Sequence, residues 1–212
     1  MAIDVKKTQK QLYQATPTPA VVEVPTLTYI MVDGQGDPNA NPDYQAALEA
    51  MYAVAYGVKM AKMGDWRPEG YYDFVVAPLE GLWTTVDGDP YVTGVTDKSQ
   101  FKWTMMVQMP DFVTAEVLAT VAEGSKRKKP DLDLDQVRVD TLAEGLCAQI
   151  LHIGGYDDEP ATIAVLHQAI TKSGHVVDLG GGRRHQEIYL SDPRRVPEDK
   201  LKTIIRLPIA TA

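Results

Sequence analysis

The chain has 212 residues, 44% of them apolar and 24% charged, and a net charge of −8 at pH 7. These values support one core of ordinary size, and no apolar run reaches the roughly 18 residues a membrane-spanning helix needs. One cysteine, Cys147, excludes an internal disulfide framework and a cysteine-rich zinc site, so the expected setting is a reducing cytoplasm.

Residues 1–20 read as a polar lead-in ending in ATPTPA, whose prolines stop any helix, and they carry no apolar signal segment. Valine, threonine, tyrosine and isoleucine then dominate residues 21–34, which predicts a strand broken near Pro25. A Gly/Pro/Asn loop follows. Residues 44–63 show helical spacing, with Leu48, Met51, Tyr52, Ala55 and Tyr56 on one side and Gly57 as a weak point. Residues 71–77 and 79–85 are strand-like and separated by Pro78. DGDP over 87–90 predicts a turn, FKWTMMVQM over 101–109 a strand stopped by Pro110, and residues 114–123 a short helix. KRKKPDLDLDQ is a polar linker. Its basic run, Lys126 to Lys129, sits beside Asp131, Asp133 and Asp135 and reads as a solvated turn, so no nucleic-acid partner is expected.

The pattern then starts again. Residues 137–153 predict a strand with a turn or bulge near Ala143, Glu144 and Gly145. A helix is expected over 161–173, with Ile163, Leu166, His167 and Ile170 on one side. Strands over 185–191 and 202–209 close the chain. Laid over one another, residues 21–125 and 137–209 form two pseudo-symmetric strand-helix-strand-strand repeats joined by a linker over 126–136. The expected class is therefore α+β: a single domain over 21–209, with antiparallel sheets and a ligand cleft between the repeats. Each sheet offers one face to its own helix, and the opposite faces are expected to form the shared hollow.

Standard chemical motifs are absent. Gly180 to Gly182 lack a following GK[ST] and do not open a helix, so they read as a turn rather than a phosphate loop. No G-x-S-x-G elbow occurs, and the four histidines do not fall at i, i+4 spacing. No metal or cofactor is expected. Cys147 lies in a strand-like run and reads as a small buried hydrophobe.

Two acidic residues stand out. In HQEIYLS over 185–191, alternation places Ile188 and Leu190 on one face and Glu187 and Tyr189 on the other. If the aliphatic face meets the helix, Glu187 and Tyr189 look into the hollow, where a carboxylate must be paired, hydrogen-bonded or functional. A solvated strand face is the plain alternative. In PLEGLW, Glu80 and Trp83 stand around a glycine, which suits an irregular excursion with a carboxylate beside a flat aromatic surface. Trp103 and Met105 share one face of the next strand. Tyr44, Tyr52 and Tyr56 add rings on the first helix. Core packing explains Trp103 and the helix tyrosines as well as a binding role does.

Several segments together resemble a known family: YIMVDGQGDPN (29–39), PLEGLW (78–83), MPDFVT (109–114), KRKKP (126–130), QILHIGGYDDEP (149–160), and EIYLSDPRR with PEDKLKTIIRLP (187–208). They run in order over about residues 20–209 and resemble the stand-alone GyrI-like small-molecule-binding proteins, relatives of the effector-binding domains of multidrug-responsive regulators. The chain departs from a common family form at Val107-Gln108-Met109-Pro110, where an arginine is frequent, and at Gly155, where proline is frequent. The resemblance implies a cleft for hydrophobic, planar or cationic xenobiotics, with Glu187 as the charged contact and Tyr189, Glu80 and Trp83 as matching candidates; Trp103, Tyr56 and Met105, read from strand and helix spacing, complete the expected ligand-binding set. Some relatives imply an enzyme that hydrolyses the cyclopropane of DNA-alkylating toxins. Glu187 and Tyr189 would then be catalytic. A gyrase-modulating adaptor is a third, more remote implication.

Overall fold

The computed structural model describes residues 2–85, 88 and 97–212. Residues 87, 89 and 90 of the expected DGDP turn lie outside the described residues.

Strand β1 (Ala20–Gln35) runs 16 residues straight through Pro25. It pairs with β4 (Arg138–Ile153) in one continuous antiparallel register, Val24 opposite Gly145 and Thr26 opposite Ala143. The break expected at Pro25 and the bulge expected at 143–145 therefore face one another. Neither inserts a residue, because the proline's missing N–H simply leaves one rung of the ladder unbonded. The remaining long strands are β2 (Leu79–Thr84), β3 (Lys102–Gln108), β6 (His185–Tyr189) and β7 (Lys202–Thr211), and a short β5 (His175–Val177) extends β7. Neighbours follow the order β4-β1-β3-β2-β6-β7, and β7 pairs back onto β4, closing an antiparallel six-stranded barrel.

Among the described residues there are five α-helices. The first two, α1 (Val5–Thr8) and α2 (Lys10–Tyr13), are single turns in the stretch read from sequence as a polar lead-in. That expectation is corrected: Leu12 and Tyr13 are buried in the barrel. Helix α2 ends at Tyr13, ahead of Pro17, and two apolar side chains suffice to dock the segment. Helix α3 (Pro42–Met60) opens with Pro42 at its first turn and the Asn41 side chain accepting from the Asp43 N–H. Helix α4 (Ala115–Lys126) is capped by Thr114, and α5 (Glu159–Lys172) starts two residues earlier than its apolar spacing suggests. Residues 71–77 are not a strand; the chain there is extended and makes one isolated bridge, Ile3 to Phe74.

The barrel sorts its side chains by parity. Tyr29, Met31, Leu82, Met106, Cys147, Ile188 and Ile204 point inward. On the outer surface, α3 covers β1 and β3, burying Met51, Val54 and Val58 against Ile30, Val32, Met105 and Val107. Helix α5 covers β4 and β7 through Ile163, Leu166 and Ile170. Each fully buried side chain of this kind stabilises the fold by about 1.5–3 kcal/mol. Gly57, weak by propensity, sits where α4 crosses α3: a Cβ there would lie 2.3 Å from Val121 Cγ1.

The expected hollow moves. The sheet faces turned away from the helices do not form an open cleft, because six closed strands leave an interior that side chains fill. The cavity lies on the outer face instead, over β2 and β6, where neither α3 nor α5 covers the barrel.

Candidate functional site

The cavity encloses about 1410 Å³. Its floor is the β2–β6 ladder, in which Leu79 faces Tyr189, Gly81 faces Glu187 and Trp83 faces His185. All six share the outward parity. Tyr44, Tyr52 and Tyr56 of α3 form one wall; Phe101, Tyr156 and the start of α5 at Glu159 form the other. Lys98 and Asp157 bridge these neighbouring segments at 2.8 Å, and Arg194 and Arg195 bind Asp192 at the rim.

Glu187 is 5% exposed and held at both oxygens. The Tyr189 hydroxyl donates to Oε2 at 2.7 Å, and His185 Nε2 stands 3.3 Å from Oε1. The Trp83 indole N–H donates to the same Tyr189 oxygen at 2.9 Å. Trp83, Tyr189 and Glu187 thus form one hydrogen-bonded chain ending on a carboxylate, and each donor polarises the next. Phe101 packs edge-on to Trp83 at 5.9 Å, and Tyr156 edge-on to Tyr189 at 5.9 Å.

Burial raises Tyr189, Tyr44, Tyr156 and Tyr52. Tyr189 is pushed well above the ordinary phenol range by burial and then by Glu187, and Tyr44 is raised by the same two causes. Tyr156 is pushed up to about 12 by burial, with Glu159 and Glu187 adding to it, and Tyr52 up to about 12 by burial. These hydroxyls stay protonated at neutral pH and remain hydrogen-bond donors.

The structure brings together Glu187, Tyr189, Trp83 and Tyr56 of the residues singled out in the sequence; Tyr56 stands at the mouth and is 51% exposed. It does not bring Glu80, Trp103 or Met105 to the cavity. Strand β2 is regular, so Glu80 has the parity opposite to Trp83 and points into the barrel, where it is fully buried. Its Oε1 stands there 2.7 Å from the Tyr13 hydroxyl oxygen, and its Oε2 accepts from Gln186 at 2.7 Å. Trp103 and Met105 have the outward parity but lie under α3, with Tyr44 edge-on to Trp103 at 5.0 Å. Tyr156, Glu159 and Phe101 were not foreseen. Tyr156 and Glu159 belong to the YDDEP turn, which carries part of the family resemblance and places an aromatic residue just before a Pro-opened helix, but neither residue was singled out for the site.

The GyrI-like small molecule binding domain family matches residues 17–210. A structure described as a hydrolase from Listeria innocua is 42% identical, covers 98% of this chain and 100% of its own, and has a TM-score of 0.90. An uncharacterized conserved protein from the same organism is 43% identical with a TM-score of 0.91, covering 98% of this chain and 100% of its own. The EcmrR C-terminal domain, at 12% identity and a TM-score of 0.55 over 92% of this chain and 98% of its own, shares the fold alone. No curated protein sequence matches the chain. A full-length family match, joined to close relatives that superpose end to end, leads to one conclusion: this chain belongs to the GyrI-like small-molecule-binding domain family.

Proposed function

We propose that the cavity binds planar, hydrophobic small molecules carrying a positive charge, with Glu187 as their counter-charge. The observation that carries this is a carboxylate almost out of water at the floor of an aromatic-walled cavity. Rings on opposite walls desolvate a flat ligand from both sides, and a cation there gains both from the ring faces and from a carboxylate that water barely screens. The same proposal treats residues 21–125 and 137–209 as related units. Exchanging β1 with β4, β2 with β6 and β3 with β7 leaves the strand-pairing pattern unchanged, and the cavity floor lies on β2–β6, one of the two pairs, with β1–β4, that map onto themselves.

The test compares a cationic planar dye with a neutral dye of the same shape, on the wild type and on Glu187→Gln. The cationic dye binds the wild type at roughly micromolar concentration and loses about tenfold in affinity on the variant, while the neutral dye changes less than about twofold. Equal losses for both dyes remove the charge role from Glu187.

A second proposal rests on the Listeria relative described as a hydrolase. A planar ligand bearing an activated cyclopropane would be opened by water. Glu187 takes a proton from the water as its oxygen bonds to a ring carbon, the carbon–carbon bond breaks, and its electron pair passes to the conjugated carbonyl. Tyr44 and Tyr156, kept protonated by burial, are the hydroxyls available to that oxygen. The proton held by Glu187 then passes to that oxygen, which frees the carboxylate and leaves the ligand plus one water as product, so mass analysis of the recovered ligand separates turnover from binding.

A further inference from the structure

The barrel interior holds a polar cluster that the cavity does not use. Glu80, Tyr29, Gln149, Gln186 and Arg206 are all buried there. Arg206 donates to Gln149 Oε1 at 2.9 Å, to Gln186 Oε1 at 3.2 Å and to the Leu12 carbonyl at 2.7 Å. Gln186 passes its own amide N–H to Glu80 Oε2 at 2.7 Å, and Tyr29 reaches the same oxygen at 3.4 Å. The N-terminal segment closes the cluster. Gln149 donates to the Gln11 carbonyl at 2.8 Å, the Leu151 N–H to the Thr16 carbonyl at 2.9 Å, and the Tyr13 ring is buried in the barrel.

Counting protons at Tyr13 exposes a shortage. Its hydroxyl oxygen stands 2.7 Å from Glu80 Oε1 and 2.6 Å from Gln108 Oε1. A phenol has one proton, and a carboxylate oxygen and an amide oxygen both only accept. With a proton on Glu80 Oε1, every atom is satisfied: Glu80 donates to Tyr13, Tyr13 donates to Gln108, and Glu80 Oε2 still accepts from Gln186.

We propose that Glu80 carries a proton in the folded barrel and that this proton latches the N-terminal segment, residues 2–16, into the barrel. Losing it leaves two acceptors competing for the Tyr13 hydroxyl and places an anion in a dry interior, which loosens the segment. The charged groups nearby fit this. Arg206 stands one amide away from Glu80, with Gln186 between them, and Glu144, the other acid in the barrel, is itself raised by burial. Burial pushes Glu80 up to about 7, against the pull of Arg206 and of the hydrogen bonds from Tyr13, Gln186 and Tyr29. The latch therefore works across neutral pH.

The test is native-state amide hydrogen exchange on the full chain between about pH 6 and pH 8.5, corrected for the intrinsic pH dependence of exchange. The reporters are the N–H groups of Gln14 and Leu151, bonded to Lys10 and Thr16. Their protection falls about tenfold across this range, as a shift of about 2.5 units in one carboxyl requires, and at every pH it stays below that of the β1–β3 ladder, because the segment opens without the barrel unfolding. In Glu80→Gln the fall disappears. Should that variant fail to fold, Tyr13→Phe gives the second reading, with protection of Gln14 already reduced about fivefold at the lower pH. Protection of the wild type that does not change with pH overturns the proposal and assigns a rotated Gln108 amide as donor to Tyr13. Protection of these two amides equal to that of the β1–β3 ladder at every pH overturns it too, because the proton would then govern global unfolding alone rather than the segment.

Discussion

Gly81 and Glu187 face one another across the β2–β6 ladder, and the absent side chain at Gly81 is what lets Trp83 reach Tyr189 beside the carboxylate. A Cβ at Gly81 would lie 2.8 Å from Trp83 Nε1, 3.2 Å from Met105 Sδ and 3.2 Å from the Tyr189 hydroxyl. Gly81→Ala therefore displaces the indole and breaks its hydrogen bond. Titration with the cationic dye is expected to show about a fivefold loss of affinity, equivalent to one buried hydrogen bond of about 1 kcal/mol. An unchanged affinity would show that the Trp83–Tyr189 link does not organise the floor.

Trp103 and Tyr56 are expected to separate stability from binding. Trp103 is buried under α3, and truncating it to alanine removes about 3–5 kcal/mol of stability, read as a lower urea midpoint. Tyr56 is half exposed at the cavity mouth, so Tyr56→Ala changes stability by less than about 0.5 kcal/mol. Its effect appears in dye affinity instead.

Stability should fall as pH rises from the ordinary carboxyl range to neutrality. Glu80 has a folded-state value raised from 4.5 to about 7 by burial. The folded state then holds a proton that the unfolded chain has already released, so this group's contribution is complete below about pH 4.5, is lost progressively up to about pH 7 and is flat above. The loss is about 3 kcal/mol. Glu144, raised by burial as well, acts in the same direction. Urea midpoints of the wild type and Glu80→Gln at several pH values test this: the variant gains on the wild type as pH rises. A constant difference would mean that Glu80 does not titrate in this range.

At Gly57, packing and propensity oppose one another. Alanine improves intrinsic helicity by about 1 kcal/mol. Its methyl group, however, would enter the crossing of α3 and α4, 2.3 Å from Val121 Cγ1. Overpacking wins, and Gly57→Ala is expected to lower stability by about 1–3 kcal/mol, whereas Gly57→Ala combined with Val121→Ala recovers part of it. Thermal melts of the two variants give the comparison.

Local rules reached far into this protein. Period-two alternation in His185 to Tyr189 placed Glu187 and Tyr189 on one face, and helical spacing with Pro and Asn punctuation located α3 and α5 to within a few residues. These features depend on neighbours a few positions away, so the order of residues suffices to determine them. Glu80 shows where that stops. Its glycine neighbour suggested an irregular segment, yet β2 is a regular strand between two others, and regularity alone sends Glu80 and Trp83 to opposite faces. Trp103 has the right parity but lies beneath a helix that begins some 60 residues earlier, and Tyr13 reaches Glu80 from a stretch that looks like a solvated leader. Closure of β4 onto β7 decided which sheet face became interior. It turned the sheet faces expected to form a hollow into a packed interior and left the cavity outside, because which surface a strand residue meets depends on partners distant in the chain, and no local pattern encodes them.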